Sequence, residues 1–280
     1  MTDVRTPSAV YRTAEDDSTR WHDFPYRPGD IVVSTGHKSG TTWMQMICAL
    51  LIFQDPELPA PLAELSPWLD QLVLPAGEVY ARLAAQQQRR VIKTHTPLDG
   101  IPLDPRATYI VVGRDPLDVS VSRYHVYDED AARRPAVSER DWLLSWIDRD
   151  DWEPDSLNRL MWHVGSAWAH REEPNVVLAH YADLSADLGS EMRRIADRLA
   201  IRVPDDRWPA LVRAATFRQM RARADRLVPR GRDPLKDSTT FFRAGRSGSG
   251  RELLTAGEYA RYLERVADLA PPDLVAWLIG

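Results

Sequence analysis

The chain is short of several things, and each shortage removes a class of explanation. Among its 280 residues there is one cysteine, Cys48. A lone thiol closes no disulfide within the chain, so no disulfide framework holds the fold, and a reducing compartment is expected. No apolar run approaches the ~20 residues of a spanning helix; the longest lies around Ile47–Phe53. The stretch Met1–Thr19 is polar and lacks the apolar segment of a secretory signal. Together these absences predict a cytoplasmic protein with no stable membrane insertion. The net charge is −5, which offers no bulk attraction for nucleic acid, so any anion site has to be local. The 7 histidines are scattered and Cys48 stands alone, so no metal-ligand cluster is apparent. Internal repeats, low-complexity tracts and a basic amphipathic helix are missing as well.

The length suits one large domain with an ample core. Residues 1–20 read as a flexible arm and 21–280 as the domain. Four apolar runs read as buried strands: Ile31–Ser34, Arg90–Lys93, Thr108–Gly113 and Val176–His180. Apolar residues at helical spacing lie between and after them: Trp43, Met46, Ile47 and Leu50; Leu188, Met192, Ile195 and Leu199; Tyr259, Leu263 and Val266. Strands alternating with helices predict an α/β fold, a single domain with a central parallel sheet flanked by helices. In such sheets ligands bind beyond the carboxyl ends of the strands, where His37-Lys38, His95 and Arg114 follow three of the runs. Two stretches, 131–155 and 223–240, read as irregular, the second as a mobile loop rich in Pro, Gly and charge.

The densest chemical signal is Ser34-Thr-Gly-His-Lys-Ser-Gly-Thr-Thr-Trp43, between the first strand and the first helix. A loop of small residues opening a helix aims backbone N–H groups and the helix N-terminus at one spot, an anion cradle, and Lys38 adds a full charge. The order differs from the nucleoside-triphosphate loop G-x-x-x-x-G-K-[ST], because Lys38 precedes Gly40 and Thr41-Thr42 begin the helix. Further on, His95 ends the second strand in Lys93-Thr-His95. An imidazole there is either a general base, titrating near working pH, or a hydrogen-bonded strand-end residue. Arg114, with Ser122 at a helix start, offers a bidentate grip and a hydroxyl donor for a phosphate; Arg114 paired with Asp118, or Asp115 as a magnesium ligand, are the competing readings of that strand end.

The string Lys38-Ser-Gly-Thr-Thr-Trp43 resembles the 5′-phosphosulfate loop of the cytosolic-type sulfotransferases, which use 3′-phosphoadenylyl sulfate (PAPS). The resemblance runs in order from about Trp21 to the C-terminus. It implies a sulfotransferase fold with a P-loop-like phosphosulfate loop. It implies that Lys38, Ser39, Gly40, Thr41, Thr42 and Trp43 hold the donor, that His95 is the general base, and that Lys93 neutralises the transferring group. Arg114 and Ser122 match the family's 3′-phosphate contacts. Tyr181 in His180-Tyr-Ala-Asp183, and Thr216 and Phe217 in Ala215-Thr-Phe217, match its adenine contacts, with Trp43 as the other aromatic face. Arg243, Ala244 and Gly245 match the late Gly-rich element, where Ala244 stands for a common Lys and offers only its backbone. His37 departs from the Pro often found before the lysine. Leu65-Ser-Pro-Trp-Leu-Asp70, Gly113-Arg-Asp-Pro116 and Leu269-Ala-Pro-Pro-Asp-Leu274 look closer still to the mycobacterial glycolipid sulfotransferase type.

The function so implied is sulfuryl transfer from PAPS to a hydroxyl of a small-molecule or glycolipid acceptor, with adenosine 3′,5′-bisphosphate (PAP) as product and no metal. Trp68, Tyr124 and Trp142 are the candidate aromatic acceptor pocket, and Trp142–Trp152 a candidate lid. Two readings stand beside this one: a P-loop-type ATP-dependent kinase and a non-catalytic nucleotide-binding protein. The family's dimerisation motif maps onto 251–260, where Thr255 fits but Ala256 and Ala260 do not, so the oligomeric state stays open.

Overall fold

The computed structural model describes residues 4–128, 136–227, 242, 245 and 247–280. The elements run β1 (Ile31–Ser34), α1 (Thr41–Phe53), α2 (Leu62–Leu65), α3 (Ala76–Ala85), β2 (Val91–Thr94), β3 (Thr108–Gly113), α4 (Pro116–Asp128), α5 (Glu139–Asp148), α6 (Leu157–Trp168) and β4 (Val176–His180). They continue with α7 (Tyr181–Ala186), α8 (Leu188–Arg198), α9 (Trp208–Ala214), α10 (Phe217–Ala222), α11 (Ala224–Leu227), α12 (Ala256–Leu269) and α13 (Pro272–Ile279). Among the described residues the strands form one parallel sheet in the order β2-β1-β3-β4. Three of the four apolar runs coincide with strands, and the fourth is shifted by one residue, to Val91–Thr94.

Both faces of the sheet are covered, which is why the strands read as continuous apolar runs rather than alternating ones. Alternate strand residues enter two cores. Ile31, Val33, Ile110 and Val177 pack with α1 and α8, while Val32, Ile92, Tyr109 and Val111 pack with Trp21, Val79 and Leu83. A third cluster joins α4, α5 and α6 to α12 and α13 through Leu117, Trp146, Met161, Tyr262 and Leu278. Cys48 is fully enclosed in α1, and burial pushes its thiol up to about 12, so it packs as an apolar side chain.

The order 2-1-3-4 reverses direction between β1 and β3. The crevice at that switch point, beyond the strands' carboxyl ends, is where this architecture binds ligands. The β1–α1 loop and the β3–α4 turn both open there.

Stretch 131–155 is not irregular throughout: α5 occupies its middle. Ser138 caps it by accepting from the Asp141 N–H, Glu139 and Asp141 fill its first turn, and Leu143, Trp146 and Ile147 make its buried stripe. The remaining part up to residue 135 lies outside the described residues; of 223–240, α11 takes up Ala224–Leu227 and 228–240 lie outside them. Residues 4–20, the segment expected to fray, run against the domain. Arg5 exchanges backbone hydrogen bonds with Leu103, Ser8 N donates to Asp99 O, and Asp17 N donates to Asp70 O.

Candidate active site

The β1–α1 loop is shaped by two left-handed residues. Gly40, at φ 105°, caps α1 and supplies no side chain to occupy the first N–H groups of the helix. A Cβ on Gly40 would also press within 3.0 Å of the Tyr181 ring, so only glycine meets both demands. Lys38 has φ 62°, uncommon for a residue with a side chain and of the kind that concentrates at functional sites. The Lys38 carbonyl accepts from Arg114 Nη1 at 2.8 Å, so the end of β3 holds the loop. Ser39 Oγ and Arg114 Nε are enclosed with no hydrogen-bond partner among the described residues. A helix N-terminus, a hydroxyl and a guanidinium N–H, brought together here, fit an anion with several oxygens.

Around this cradle the aromatic candidates assemble. The Arg114 guanidinium lies 4.2 Å over the Tyr181 ring, and Tyr181 meets Trp43 edge-on at 5.1 Å. Trp43 Nε1 donates to the Ala215 carbonyl at 2.9 Å, which brings Thr216 and Phe217 alongside. The Gly245 backbone lies on the Phe217 ring so closely that a Cβ there would stand 2.4 Å from it. Thr216 precedes α10 and donates its hydroxyl to Arg213 O. Ser122 lies in the second turn of α4 rather than at a helix start, because Asp115 caps the helix at Leu117 N and Pro116 opens it. Arg243 and Ala244 lie outside the described residues.

The readings of Asp115 and Asp118 change. Asp115 is the helix cap just described. Asp118 is not the partner of Arg114: buried in α4, it accepts from Gly248 N at 2.7 Å, Gly250 N at 2.9 Å and the Ser249 hydroxyl at 3.0 Å. It thereby ties the Gly248–Gly250 segment to the start of α4. Thr255, from the candidate dimerisation motif, forms a capping box with Glu258 at the start of α12.

His95 sits where the cradle meets a second cleft. Its Nδ1 lies 2.7 Å from the Thr35 carbonyl. A carbonyl only accepts, so Nδ1 carries the proton and Nε2 keeps its lone pair. Thr94 and Thr96, either side of it, both donate their hydroxyls to Asp70, which also accepts from Trp21 Nε1; Asp70 thus fixes the turn that aims the imidazole. Burial, then the neighbouring His37 and Lys93, hold His95 well below the usual imidazole range, so it is a neutral base. The His37 ring stacks on it at 4.1 Å, and Trp68 meets it edge-on at 4.6 Å. Lys93 Nζ lies 3.9 Å over Trp68. Burial lowers Lys93 to about 8, against the opposing pull of Asp16 and Asp70.

The sulfotransferase domain family matches residues 28–269 of the chain. This protein belongs to the sulfotransferase family. The glycolipid sulfotransferases of Mycobacterium bovis and Mycobacterium tuberculosis are each 40% identical to it, over 97% of this chain and 94% of theirs. Human sulfotransferase 2A1 is 24% identical over 91% of this chain and 90% of its own. Among solved structures, mouse SULT7A1 complexed with PAP superimposes with a TM-score of 0.71 at 20% identity, covering 96% of this chain and 97% of that one. Retinol dehydratase with androsterone and PAP gives 0.70 at 20% identity, covering 91% and 84%. These two likenesses establish the shared fold.

The sulfotransferase carries a cleft in front of His95, between the 11–16 segment, α4, α5 and α6. Of the three aromatic residues expected to form one pocket, Trp68 packs against His95 and Lys93. Tyr124 and Trp142 instead pair with each other at 6.1 Å. Sequence reasoning passed over the cleft's own lining, including Tyr11, Asp16, Arg159 and His163. Their signal is tertiary: nothing in the local pattern of residues 11–16 announces a wall opposite a histidine some eighty positions away.

Proposed function

We propose that this sulfotransferase moves the sulfuryl group of PAPS onto a hydroxyl of a glycolipid or similar small-molecule acceptor. In this reading the N–H groups of residues 39–42 hold the 5′-phosphosulfate and Arg114 holds the 3′-phosphate. Trp43, Tyr181 and Phe217 frame the adenine. As the acceptor oxygen forms its bond to sulfur, the bond from sulfur to the bridging phosphate oxygen breaks. The acceptor proton passes to His95 Nε2, and the charge left on PAP grows beside Lys38. Lys93 offsets charge on the transferring group. In-line positioning supplies much of the remaining acceleration.

The observation that carries this reading is the bond between His95 Nδ1 and the Thr35 carbonyl. Thr35 opens the donor loop, so one short contact fixes the base relative to the cradle and leaves Nε2 unprotonated. The test is transfer from labelled PAPS to an acceptor panel, beside calorimetry with PAP and with ATP. His95→Ala is expected to lose about 10²-fold or more in turnover while keeping PAP affinity. Unchanged turnover would remove His95 from the mechanism, and tighter binding of ATP than of PAP would return the site to the kinase reading. The acceptor class is supported by the glycolipid sulfotransferase names of the mycobacterial relatives.

A further inference from the structure

The wall of the cleft in front of His95 is mostly apolar, and most of its polar side chains are bonded within the chain, but not all of them are. Asp16 Oδ1 and Ser120 Oγ both line it, and both are enclosed with no hydrogen-bond partner among the described residues. They come from different elements, Asp16 from the N-terminal segment and Ser120 from α4. The Arg159 guanidinium, from α6, also lines the cleft, 3.8 Å over the Tyr11 ring.

This wall is fixed rather than draped. The Tyr11 hydroxyl donates to Asp99 at 2.8 Å and accepts from Trp162 Nε1 at 2.9 Å. Tyr11 N donates to Ser18 Oγ, and Ser18 N returns a bond to Tyr11 O, each at 2.9 Å. The Tyr11 ring also fills the space over Gly100 so fully that a Cβ there would stand 2.4 Å from it. The segment from Tyr11 to Asp16 is therefore held in place before any acceptor arrives, which lowers the entropy cost of recognising one.

We propose that this cleft is a carbohydrate subsite, in which Asp16 and Ser120 read hydroxyls of a sugar ring while a further hydroxyl of the same ring faces His95. The inference rests on the sulfuryl-transfer reading and adds the chemistry by which the acceptor is chosen. An enclosed polar atom without a partner is costly, because it has lost its water and gained nothing in return. A flat acceptor with one hydroxyl uses that hydroxyl at His95 and leaves both atoms unmet. A ring carrying hydroxyls around its edge meets both walls and the base at once. Sites built to bond a substrate hydroxyl discriminate strongly against analogues that lack it. The carboxyl suits this task in either state, accepting from a hydroxyl when ionised and also donating when protonated. Its ionisation lies at about 7, raised by burial and by the Asp70 and Glu15 carboxylates nearby.

The test compares two acceptors on the full chain with labelled PAPS at pH 8: octyl β-D-glucopyranoside, and 2-naphthol as the flat single-hydroxyl probe. The glucoside is expected to give the higher kcat/KM by about tenfold or more, the equivalent of one good hydrogen bond. Asp16→Ala and Ser120→Ala are each expected to lower the glucoside-to-naphthol ratio by about tenfold, mostly through KM. Retained PAP affinity marks each variant as folded. A preference for 2-naphthol, or a ratio unmoved in both variants, would overturn the carbohydrate subsite. A wild-type protein that binds no PAP would instead overturn the donor reading beneath it.

Discussion

The two ends of the central sheet treat buried polar groups in opposite ways. At the amino-terminal end, Asp30 and Arg90 are 1% and 2% exposed and form a two-pronged ion pair. Arg90 also donates to Pro25 O, and Asp30 accepts from Arg27 N. Beside them the Tyr109 hydroxyl donates to Pro102 O and accepts from Asp104 N, each at 2.7 Å. At the carboxyl-terminal end, Ser39 Oγ, Arg114 Nε and Trp68 Nε1 are enclosed with no partner among the described residues. Two histidines there, His37 and His95, are held uncharged by burial. One end satisfies itself and the other waits for a ligand. Buried polarity stabilises the fold where it is matched internally; where it is unmatched, it marks a site.

The sharpest way to break the comparison is to exchange the consequences of the two ends. Asp30→Ala strands the buried Arg90 guanidinium, and removing one partner of such a pair costs about 3–5 kcal/mol. Chemical denaturation should show that loss, with PAP affinity of the folded protein kept. Lys38→Ala should do the reverse. Turnover should fall by about 10²–10³-fold, the loss expected when leaving-group stabilisation is removed, with the denaturation midpoint unmoved. If Asp30→Ala weakened PAP binding as strongly as it weakened folding, the two ends would not be separable.

Much of the fold was legible in the sequence because parallel strands covered on both faces are largely apolar, and these four are apart from polar residues toward their ends, such as Lys93 and Thr94 in β2. The cradle was legible for a similar reason. Its residues are contiguous, and a glycine at a left-handed helix cap beside a lysine carries its own explanation. Helix α5 was missed because its buried stripe is only three residues, with charged residues on both sides. What the sequence hid was relational. His37 looked like a departure in a turn, yet it stacks on His95. Asp118 looked like a surface partner for Arg114, yet it anchors the Gly248–Gly250 loop from far along the chain. Tyr124 and Trp142 were grouped with Trp68 because all three are aromatic, and aromatic character says nothing about which element carries each ring.

A smaller effect separates two duties within the ligand end. Arg114 holds the Lys38 carbonyl through Nη1, while its Nε has no partner among the described residues. If that free N–H serves the 3′-phosphate, Arg114→Ala should weaken PAP by about 10–100-fold, as expected for a charge-assisted bond. AMP, which lacks that phosphate, should lose much less. Calorimetry with both ligands distinguishes this from a purely structural role, since a loosened loop would weaken the two equally.

The smallest expected effect concerns pH, and it distinguishes a charge that supports the fold from one that serves the reaction. Burial brings Lys93 down to about 8, whereas Arg90 at the other end stays charged at any working pH. If the Lys93 cation offsets charge on the transferring group, the active form is the protonated one, present below about pH 8 and lost above it. The kcat/KM for the donor reports ionisations of the free enzyme, so it should fall by about tenfold per pH unit on the alkaline side. Lys93→Arg keeps its charge and should flatten that limb between pH 8 and 10. An alkaline limb that persists unchanged in Lys93→Arg would assign it to another group and leave Lys93 as the cation that packs over Trp68.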